Sequence, residues 1–153
     1  LAGPATRKGD STMAKHVLRN AYIAINGTAL SDHASSLEID DSAEEIDFTA
    51  FSANGYREIG QGLKDATVTV TFFQDYAAGS VHAILQPLYA SGGTFTLVVR
   101  PDAASVVSAT NPGGTMIARI FSYPGLAGAV GEANTFDASF RNAGTAGLTW
   151  GTT

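Results

Sequence analysis

The sequence predicts a mainly β fold, a β-sandwich or barrel with one flanking α-helix. Three observations lead to this fold class. Several segments alternate apolar and polar side chains with a period of two, which is typical of strands that bury one face. Short stretches containing Gly, Asn or Pro separate these segments. A single segment has apolar residues at helical spacing, so strands must supply most of the core.

The chain has 153 residues, which is enough for one domain with one hydrophobic core. We expect residues 13–153 to form that domain. Residues 1–12 contain few groups to bury, so we expect a flexible extension or an artificial remnant of expression. No apolar segment has the length of a membrane helix, and the N-terminus lacks the apolar centre of a secretory signal. These features predict a protein that is soluble where it is made.

Composition excludes several classes of function. The chain contains no cysteine, which excludes disulfides, thiolate metal sites and a cysteine nucleophile. Its net charge is -5 and its nine Lys and Arg residues are scattered. Proteins that hold nucleic acid by neutralising phosphates carry clustered basic residues instead. The charge pattern therefore argues against a nucleic-acid-binding protein of that kind.

The first strands are predicted from alternation and turn residues. Side chains alternate over Val17–Asn26 up to the turn sequence Asn26-Gly27, which predicts that a hairpin begins the fold. Two further strand candidates follow at Ser36–Asp40 and Glu45–Phe51. In both, alternation by twos predicts one buried face and one exposed face.

The segment Ser52–Asp65 has the composition of a long loop. We expect Gly60 and Gly62 to adopt positive backbone angles that fold this loop back. The segment also contains apolar residues that a solvated loop does not need, namely Tyr56, Ile59 and Leu63. Such residues require a surface that covers them.

The second half of the chain predicts one helix and five strands. The clearest strand is Ala66–Gln74, where β-branched and aromatic residues alternate. Ser80 is the expected N-cap of a helix that ends at Gly92-Gly93, with a kink or an early end at Pro87. The other predicted strands are Thr94–Arg100, Thr115–Tyr123, Thr135–Arg141 and Gly147–Gly151. Alternation places four phenylalanines in the core: Phe72, Phe95, Phe136 and Phe140.

Six of the fourteen acidic residues fall within ten positions: Glu38, Asp40, Asp41, Glu44, Glu45 and Asp47. A calcium loop with its turn glycine is absent, and alternation directs neighbouring carboxylates to different sides. A glycosidase pair would need sugar-stacking aromatics nearby, and the single tryptophan, Trp150, is distant in sequence. The simplest interpretation is a solvated acidic edge that prevents wrong strand pairing.

No residue pattern predicts catalysis, a metal or a cofactor. The histidines His16, His33 and His82 lack the close spacing of zinc motifs and are expected to be structural or surface groups. A hydrolytic trio of Ser80, His82 and Asp75 lacks a nucleophile elbow and an identifiable oxyanion loop. Gly60-Gln61-Gly62 lacks the remaining residues of a phosphate loop. We therefore expect a protein that is not an enzyme.

The central part of the chain resembles a major tail tube protein of a long, flexible-tailed, siphovirus-like bacteriophage. Three consecutive segments carry the resemblance: SLEIDDSAEEIDFTAFSANGYREIGQGLKDATVTVTFFQD, the helical SVHAILQPLYASG, and TFTLVVRPD. The similarity lies in their order, in which an acidic strand leads to a long loop, a Thr/Val strand and a helix.

The resemblance implies a structural subunit that forms hexameric rings, which stack into a hollow tube. It implies that the long loop contacts neighbouring subunits through Tyr56, Arg57, Ile59, Leu63 and Lys64. It also implies an acidic lumen wall that repels DNA, with candidates Asp40, Asp41, Glu44, Glu45 and Asp47. The expected partners are further copies of the chain, a tape-measure protein, a tail terminator and tail-tip proteins, with DNA passing through unbound. The expected location is the virion tail, after assembly in the cytoplasm of a bacterial host.

Three alternatives stay open from the sequence. The chain could form the tube of a phage-derived particle or of a contractile injection system. A β-sandwich module that binds carbohydrate or a cell surface is a second alternative. For the long loop, the alternative is that it folds onto its own domain.

Overall fold

The computed structural model describes residues 15–153. The proposed extension at residues 1–12 and the start of the predicted domain lie outside these residues. Two short 3-10 helices occur, at Ser31–His33 and Phe51–Ala53. The strands and the helix, in chain order, are β1 (Tyr22–Ile25), β2 (Thr28–Ala29), β3 (Ala34–Asp47), β4 (Ile59–Phe73), α1 (Val81–Ser91), β5 (Phe95–Arg100), β6 (Gly113–Ser122), β7 (Thr135–Asn142) and β8 (Thr149–Gly151).

The eight strands form one antiparallel sheet in the order β2-β1-β5-β6-β7-β4-β3, and β8 pairs with the start of β6. This confirms the predicted mainly β fold with one flanking helix. The hydrogen-bonded path is open, because β2 and β3 are its two ends and do not pair with each other. The predicted first hairpin forms at Asn26-Gly27. Strand β1 is shorter than predicted, since its partner β5 ends at Arg100 opposite Tyr22, and Pro101 follows without a backbone donor.

The core lies on one face of the sheet, under α1. All four phenylalanines predicted for the core are buried there. Phe140 meets Phe72 and Phe95 edge to face, with ring centroids 6.4 and 5.5 Å apart. The helix contributes Val81 and Leu85, which are fully buried in the same cluster. Burial of these side chains is the main stabilising term of the fold.

Helix α1 begins and ends at the predicted positions, after Ser80 and before Gly92, but it differs from the prediction in two details. Ser80 occupies the N-cap position, but its hydroxyl donates to Asp75 Oδ2 at 2.8 Å instead of capping a backbone N–H. The helix does not end early at Pro87 and continues to Ser91, where Gly92 closes it with φ 66°. Pro87 is tolerated because it and Ala83, whose carbonyl loses its helical partner, are both exposed to water.

The largest departure from the sequence prediction is the hairpin of β3 and β4. The two strands predicted at Ser36–Asp40 and Glu45–Phe51 are one continuous strand, β3, and half of the loop predicted at Ser52–Asp65 belongs to β4. The true connection is residues 48–58. Strand β4 pairs with β7 only from Thr67 onward. Among the described residues, the half of the hairpin nearer its tip therefore has no strand pairing except that between β3 and β4. We call residues 43–64 the arm.

Two glycines explain why this segment is a strand. Gly60 and Gly62 do not have the positive φ expected for loop glycines. A Cβ on Gly60 would lie 2.7 Å from the Phe48 ring, and one on Gly62 would lie 2.7 Å from Ile46 Cδ1. The glycines therefore leave space for large side chains from the opposite strand, a use of strand glycine that a turn-based interpretation misses.

Candidate functional site

The arm exposes apolar side chains that the rest of the described chain does not cover. Leu63 is 82% exposed and Tyr56 is 79% exposed. Phe51, on the 3-10 turn at the tip, is fully exposed. Phe48 and Ile59 are exposed beside them. An ordered element with this much uncovered apolar surface is typical of a protein–protein interface.

Hydrogen bonds hold the tip of the arm in one conformation. Phe48 N–H donates to Glu58 O at 2.8 Å, and Glu58 N–H donates to Thr49 Oγ1 at 2.8 Å. Asp47 accepts from the Thr49 N–H at 2.8 Å and pairs with Arg57 at 3.1 Å. Hydrogen bonds from Thr49, followed by the one from Arg57, lower the pKa of Asp47. These contacts close the base of the connection and display its aromatic side chains.

The five residues predicted for subunit contacts all lie in the arm. Tyr56 and Arg57 belong to the connection, whereas Ile59, Leu63 and Lys64 lie on β4. Arg57 differs from the other four residues, because its side chain already forms an ion pair with Asp47 of the same chain. At the base of the arm the register shifts, so that Gly62 and Leu63 lie opposite the single residue Glu44. Such an irregularity bends a strand and redirects its side chains.

The five acidic residues predicted for a lumen do not share one surface. All are exposed on β3. Asp40 lies opposite Thr67 and Asp41 lies opposite the buried Ala66, so the two carboxylates point to opposite faces of the sheet. Glu44 and Glu45 are neighbours and diverge in the same way. The run of acidic residues in the sequence is therefore two separate groups in space.

Sequence reasoning missed a polar surface that crosses three strands. Opposite the core, β3, β4 and β7 align in rows of polar side chains, since the register pairs Ser36 with Thr71 and Thr71 with Asp137. Ser36 Oγ donates to Thr71 Oγ1 at 2.8 Å, and Thr71 Oγ1 donates to Asp137 Oδ1. We call this surface the polar sheet face; its members are Ser36, Glu38, Asp40, Thr67, Thr69, Thr71, Asp137, Ser139 and Arg141. In the sequence, only the alternating threonines of β4 indicated this surface.

A second polar cluster joins the start of β3 to the start of α1. His33 Nε2 lies 2.9 Å from Asp75 Oδ2, and His33 Nδ1 lies 2.8 Å from Asp32 Oδ1. Ser80 Oγ donates to Asp75 Oδ2, and lies 3.5 Å from His33 Nε2. Because Asp75 engages both the imidazole and the hydroxyl, Ser80 is not paired with a free base, as a nucleophile would require.

Of the hydrolytic trio considered from the sequence, Ser80 and Asp75 are in contact, but the His82 side chain lies elsewhere. His82 hydrogen-bonds the Tyr123 hydroxyl at 2.6 Å, and Tyr123 also accepts from Gln74 Nε2 at 2.9 Å. Burial raises the pKa of Tyr123. Among residues 15–153, no group of three or more His, Asp or Glu side chains is arranged to hold a metal ion. Within the same residues, no helix has the length and apolar character to span a membrane.

The cluster around His33 predicts a pH-dependent contribution to stability. The hydrogen bond to Asp32, followed by that to Asp75, raises the pKa of His33 above 6.5, so its contribution is complete below pH 6.5 and is lost as pH rises through the raised pKa. Hydrogen bonds from Ala77, Ser80 and His33 lower the pKa of Asp75 below 3.8, so its contribution is lost only in stronger acid. The cluster therefore stabilises most between about pH 4 and 6.5.

Urea unfolding of His33→Gln checks this prediction. We expect the loss in free energy of unfolding relative to wild type to be larger at pH 5 than at pH 9. Ser80→Ala, which keeps both titrating groups, should give the same loss at both pH values. An equal loss for His33→Gln at the two pH values would contradict the assignment.

Comparisons with solved structures identify the fold. The chain is similar to the SPP1 tail tube, with a TM-score of 0.70 and 14% identity over 91% of this chain and 80% of that one. It is also similar to a chain in the virion of a native gene transfer agent particle, with a TM-score of 0.67 and 16% identity over 87% and 96%. A third similar chain, from the tail of an empty gene transfer agent particle with C6 symmetry, gives 0.60 and 18% over 79% and 82%.

No protein-family model matches the sequence, and no curated protein matches it. The three structural similarities agree with one another and each spans most of both chains. The chain thus has the fold of subunits found in the tails of virions. More specifically, it has the fold of a tail tube protein, as the order of its central segments indicated.

Proposed function

We propose that the chain is the structural subunit of a siphovirus-like tail tube, in which hexameric rings stack around a lumen that conducts DNA. The observation that carries this proposal is the arm. It is an ordered, two-stranded projection whose apolar side chains Phe51, Tyr56 and Leu63 need a covering surface outside the described chain. The tail tube fold supplies a context in which neighbouring copies provide that surface.

The geometry of the arm disfavours the alternative that it folds onto its own domain. The part of β4 before Thr67 has left the rest of the sheet, and among residues 15–153 it pairs only with β3. Ile59 and Leu63 remain exposed on it. A loop packed against its own core would bury these side chains. Contact with another subunit is the assignment that accounts for their exposure.

Ring closure needs a surface on one side of the subunit that fits a different surface on the other side. Strand β3 is a 14-residue edge of the sheet, and one of its two edges has no strand partner among residues 15–153. Unpaired backbone groups of this kind readily accept a neighbouring chain. We infer that this edge contributes to contacts within a ring, in support of the hexamer.

The polar sheet face is the surface we assign to the lumen. It presents hydroxyls together with the carboxylates of Glu38, Asp40 and Asp137. Along Ser36–Asp40 of β3 and the residues of β4 opposite them, it exposes no large apolar side chain. The one guanidinium of this face, Arg141, is paired with Asp65, so the three carboxylates give the face a net negative charge that repels a polyanion. Of the five acidic residues first considered for the lumen, this assignment keeps Asp40. Asp41 points to the other side of β3, and Glu44, Glu45 and Asp47 lie in the arm, outside the polar sheet face.

Charge reversal on the polar sheet face tests the lumen assignment. We expect tubes of the variant Glu38→Lys/Asp40→Lys to retain duplex DNA on pelleting, at least tenfold more than wild-type tubes, with retention lost in high salt. The control Asp41→Lys/Glu45→Lys makes the same change in charge on the other side of β3, leaves the Asp47–Arg57 pair of the arm tip in place, and should retain little DNA. Equal retention by both variants would place the lumen elsewhere.

Electron microscopy of the purified wild-type protein tests the proposed function itself. Hollow tubes or six-fold rings are the expected result, and persistent monomers at high concentration would contradict it. The chain would act as a structural protein and not as an enzyme. In a virion tail its partners would be a tape-measure protein inside the tube and terminator and tip proteins at the two ends, after assembly in the host cytoplasm.

The tube of a phage-derived particle is a second candidate. The similarity to chains of gene transfer agent particles favours it specifically. Both candidates share the ring, the lumen and the arm contacts, so the experiments above apply to either.

A further inference from the structure

An apolar groove lies at the opposite end of β3 from the arm. It is lined by residues from three strands and from the segment before β1: His16, Leu18, Leu37, Ile39, Val99, Arg100, Pro101 and Trp150. Val99 forms its buried floor, whereas Leu18 and Trp150 are about half exposed at its sides. The groove has a volume of about 220 Å³. For comparison, a cavity of about 150 Å³ lined by aliphatic and aromatic side chains holds a benzene molecule. The groove therefore has room for one aromatic ring.

Of the three aromatic side chains at the tip of the arm, Phe51 is the most exposed, and unlike the 79% exposed Tyr56 it has no hydroxyl to bury. Phe48 is already engaged, because its ring lies against Gly60. Phe51 is fully exposed and sits on the short 3-10 turn, which the left-handed residues Asn54 and Gly55 follow. Since the turn is held by the hydrogen bonds at its base, little conformational entropy remains to be lost when the ring is buried.

The arm cannot reach the groove of its own chain. Strand β3 is extended from Ile39, in the groove, to Asp47, near the tip. Eight residues of antiparallel strand span about 27 Å. Phe51 lies beyond that point, so a groove filled by Phe51 must belong to a different copy.

Charge also favours contact between the arm of one copy and the groove of another. The arm carries four carboxylates (Glu44, Glu45, Asp47 and Glu58) and two basic groups (Arg57 and Lys64). The residues that line the groove include one guanidinium, Arg100, and no carboxylate. The guanidinium of Arg100 donates to the carbonyls of Asp102 and Ala103 and lies 4.0 Å from the centre of the Tyr22 ring. An acidic arm and a basic groove attract each other at long range.

We propose that Phe51 of one copy inserts into the groove beside Trp150 of a second copy, and that this contact links neighbouring subunits of the assembly. The inference rests on the proposed tube function and adds to it the two surfaces that meet. Because the arm and the groove are different parts of one chain, the contact is head-to-tail: the copy that inserts its arm keeps a free groove, and the copy that receives it keeps a free arm. Such a contact propagates into a ring or a stack instead of stopping at a dimer.

Disulfide trapping tests the contact directly, because the chain has no cysteine of its own. In the variant Ser52→Cys/Leu18→Cys, which keeps the Phe51 ring, mild oxidation during assembly should give a ladder of covalent oligomers on a denaturing gel. Each single variant should give nothing larger than a dimer. The matched control Ser52→Cys/Val106→Cys, whose second site is an exposed apolar residue on another loop, should give no ladder.

Trp150 provides a second readout, since it is the only tryptophan and lines the groove. Its emission should shift to shorter wavelength when wild-type chains assemble, as the half-exposed indole becomes buried. Wild-type tubes in the microscope with neither a ladder nor an emission shift would overturn this inference and leave the tube function standing. A ladder and a shift in rings or filaments that never become hollow tubes would support the insertion and contradict the tube function.

Discussion

Replacing Leu63 with aspartate is expected to give a folded chain that no longer forms tubes. Leu63 is 82% exposed, so the substitution removes little from the core of a single subunit. In an assembled interface the new carboxylate would be buried without a basic or hydrogen-bonding partner, at a cost of several kcal/mol. Since about 1.4 kcal/mol corresponds to a tenfold change in affinity, association should weaken at least a hundredfold.

Tube yield in electron microscopy, together with the thermal unfolding midpoint of the unassembled chain, checks this prediction. Tyr56→Asp should behave like Leu63→Asp, because Tyr56 is exposed on the same arm. Val130→Asp is the matched control, since it places the same charge on a fully exposed apolar residue of another loop. If the arm variants form tubes in wild-type yield, the arm is not part of the interface.

Replacing Phe140 with alanine is expected to destabilise the subunit by about 3–5 kcal/mol, the usual cost of deleting a buried aromatic ring. Phe140 has no exposed surface and lies edge to face with both Phe72 and Phe95. Removing it leaves a cavity where α1 and the sheet share one core. The corresponding fall in the unfolding midpoint is on the order of 10 °C for a chain of this size.

Urea unfolding of the unassembled chain measures this loss. Phe51→Ala is the matched control, because it makes the same chemical change at a fully exposed site and should cost less than about 0.5 kcal/mol. Comparable losses from the two substitutions would mean that the arm packs against its own domain. That result would also contradict the contact proposed between Phe51 and Trp150.

The alternating strands and the core were predictable from the sequence because the pattern of side chains is local. Val68, Val70 and Phe72 recur at every second position of β4, and all three are buried. All four C-terminal strands lie within two residues of their predicted bounds at both ends. The helix was predicted as well, although its passage through Pro87 depends on the exposure of that residue, which local sequence does not reveal.

The arm was predicted only in part. Tyr56, Ile59 and Leu63 signalled a surface to be covered, but Gly60 and Gly62 were interpreted as loop residues. Their role depends on Ile46 and Phe48, which cross over them from the opposite strand. A glycine that makes space for a cross-strand neighbour and a glycine that makes a turn are identical in a sequence, and only the pairing of the strands separates them.

The polar sheet face and the His33 cluster were not predictable, because each joins residues far apart in the chain. Asp137 meets Thr71 across 66 positions, and His33 meets Asp75 across 42. Long-range register is decided by the whole set of strand pairings and not by any one segment. The sequence by itself determined a mainly β chain with one helix and uncovered apolar residues near position 60. Only the tertiary structure decided that those residues form a projecting arm, and that a groove for an aromatic ring lies about 27 Å away along β3. Both features depend on which distant strands pair and on where that pairing stops.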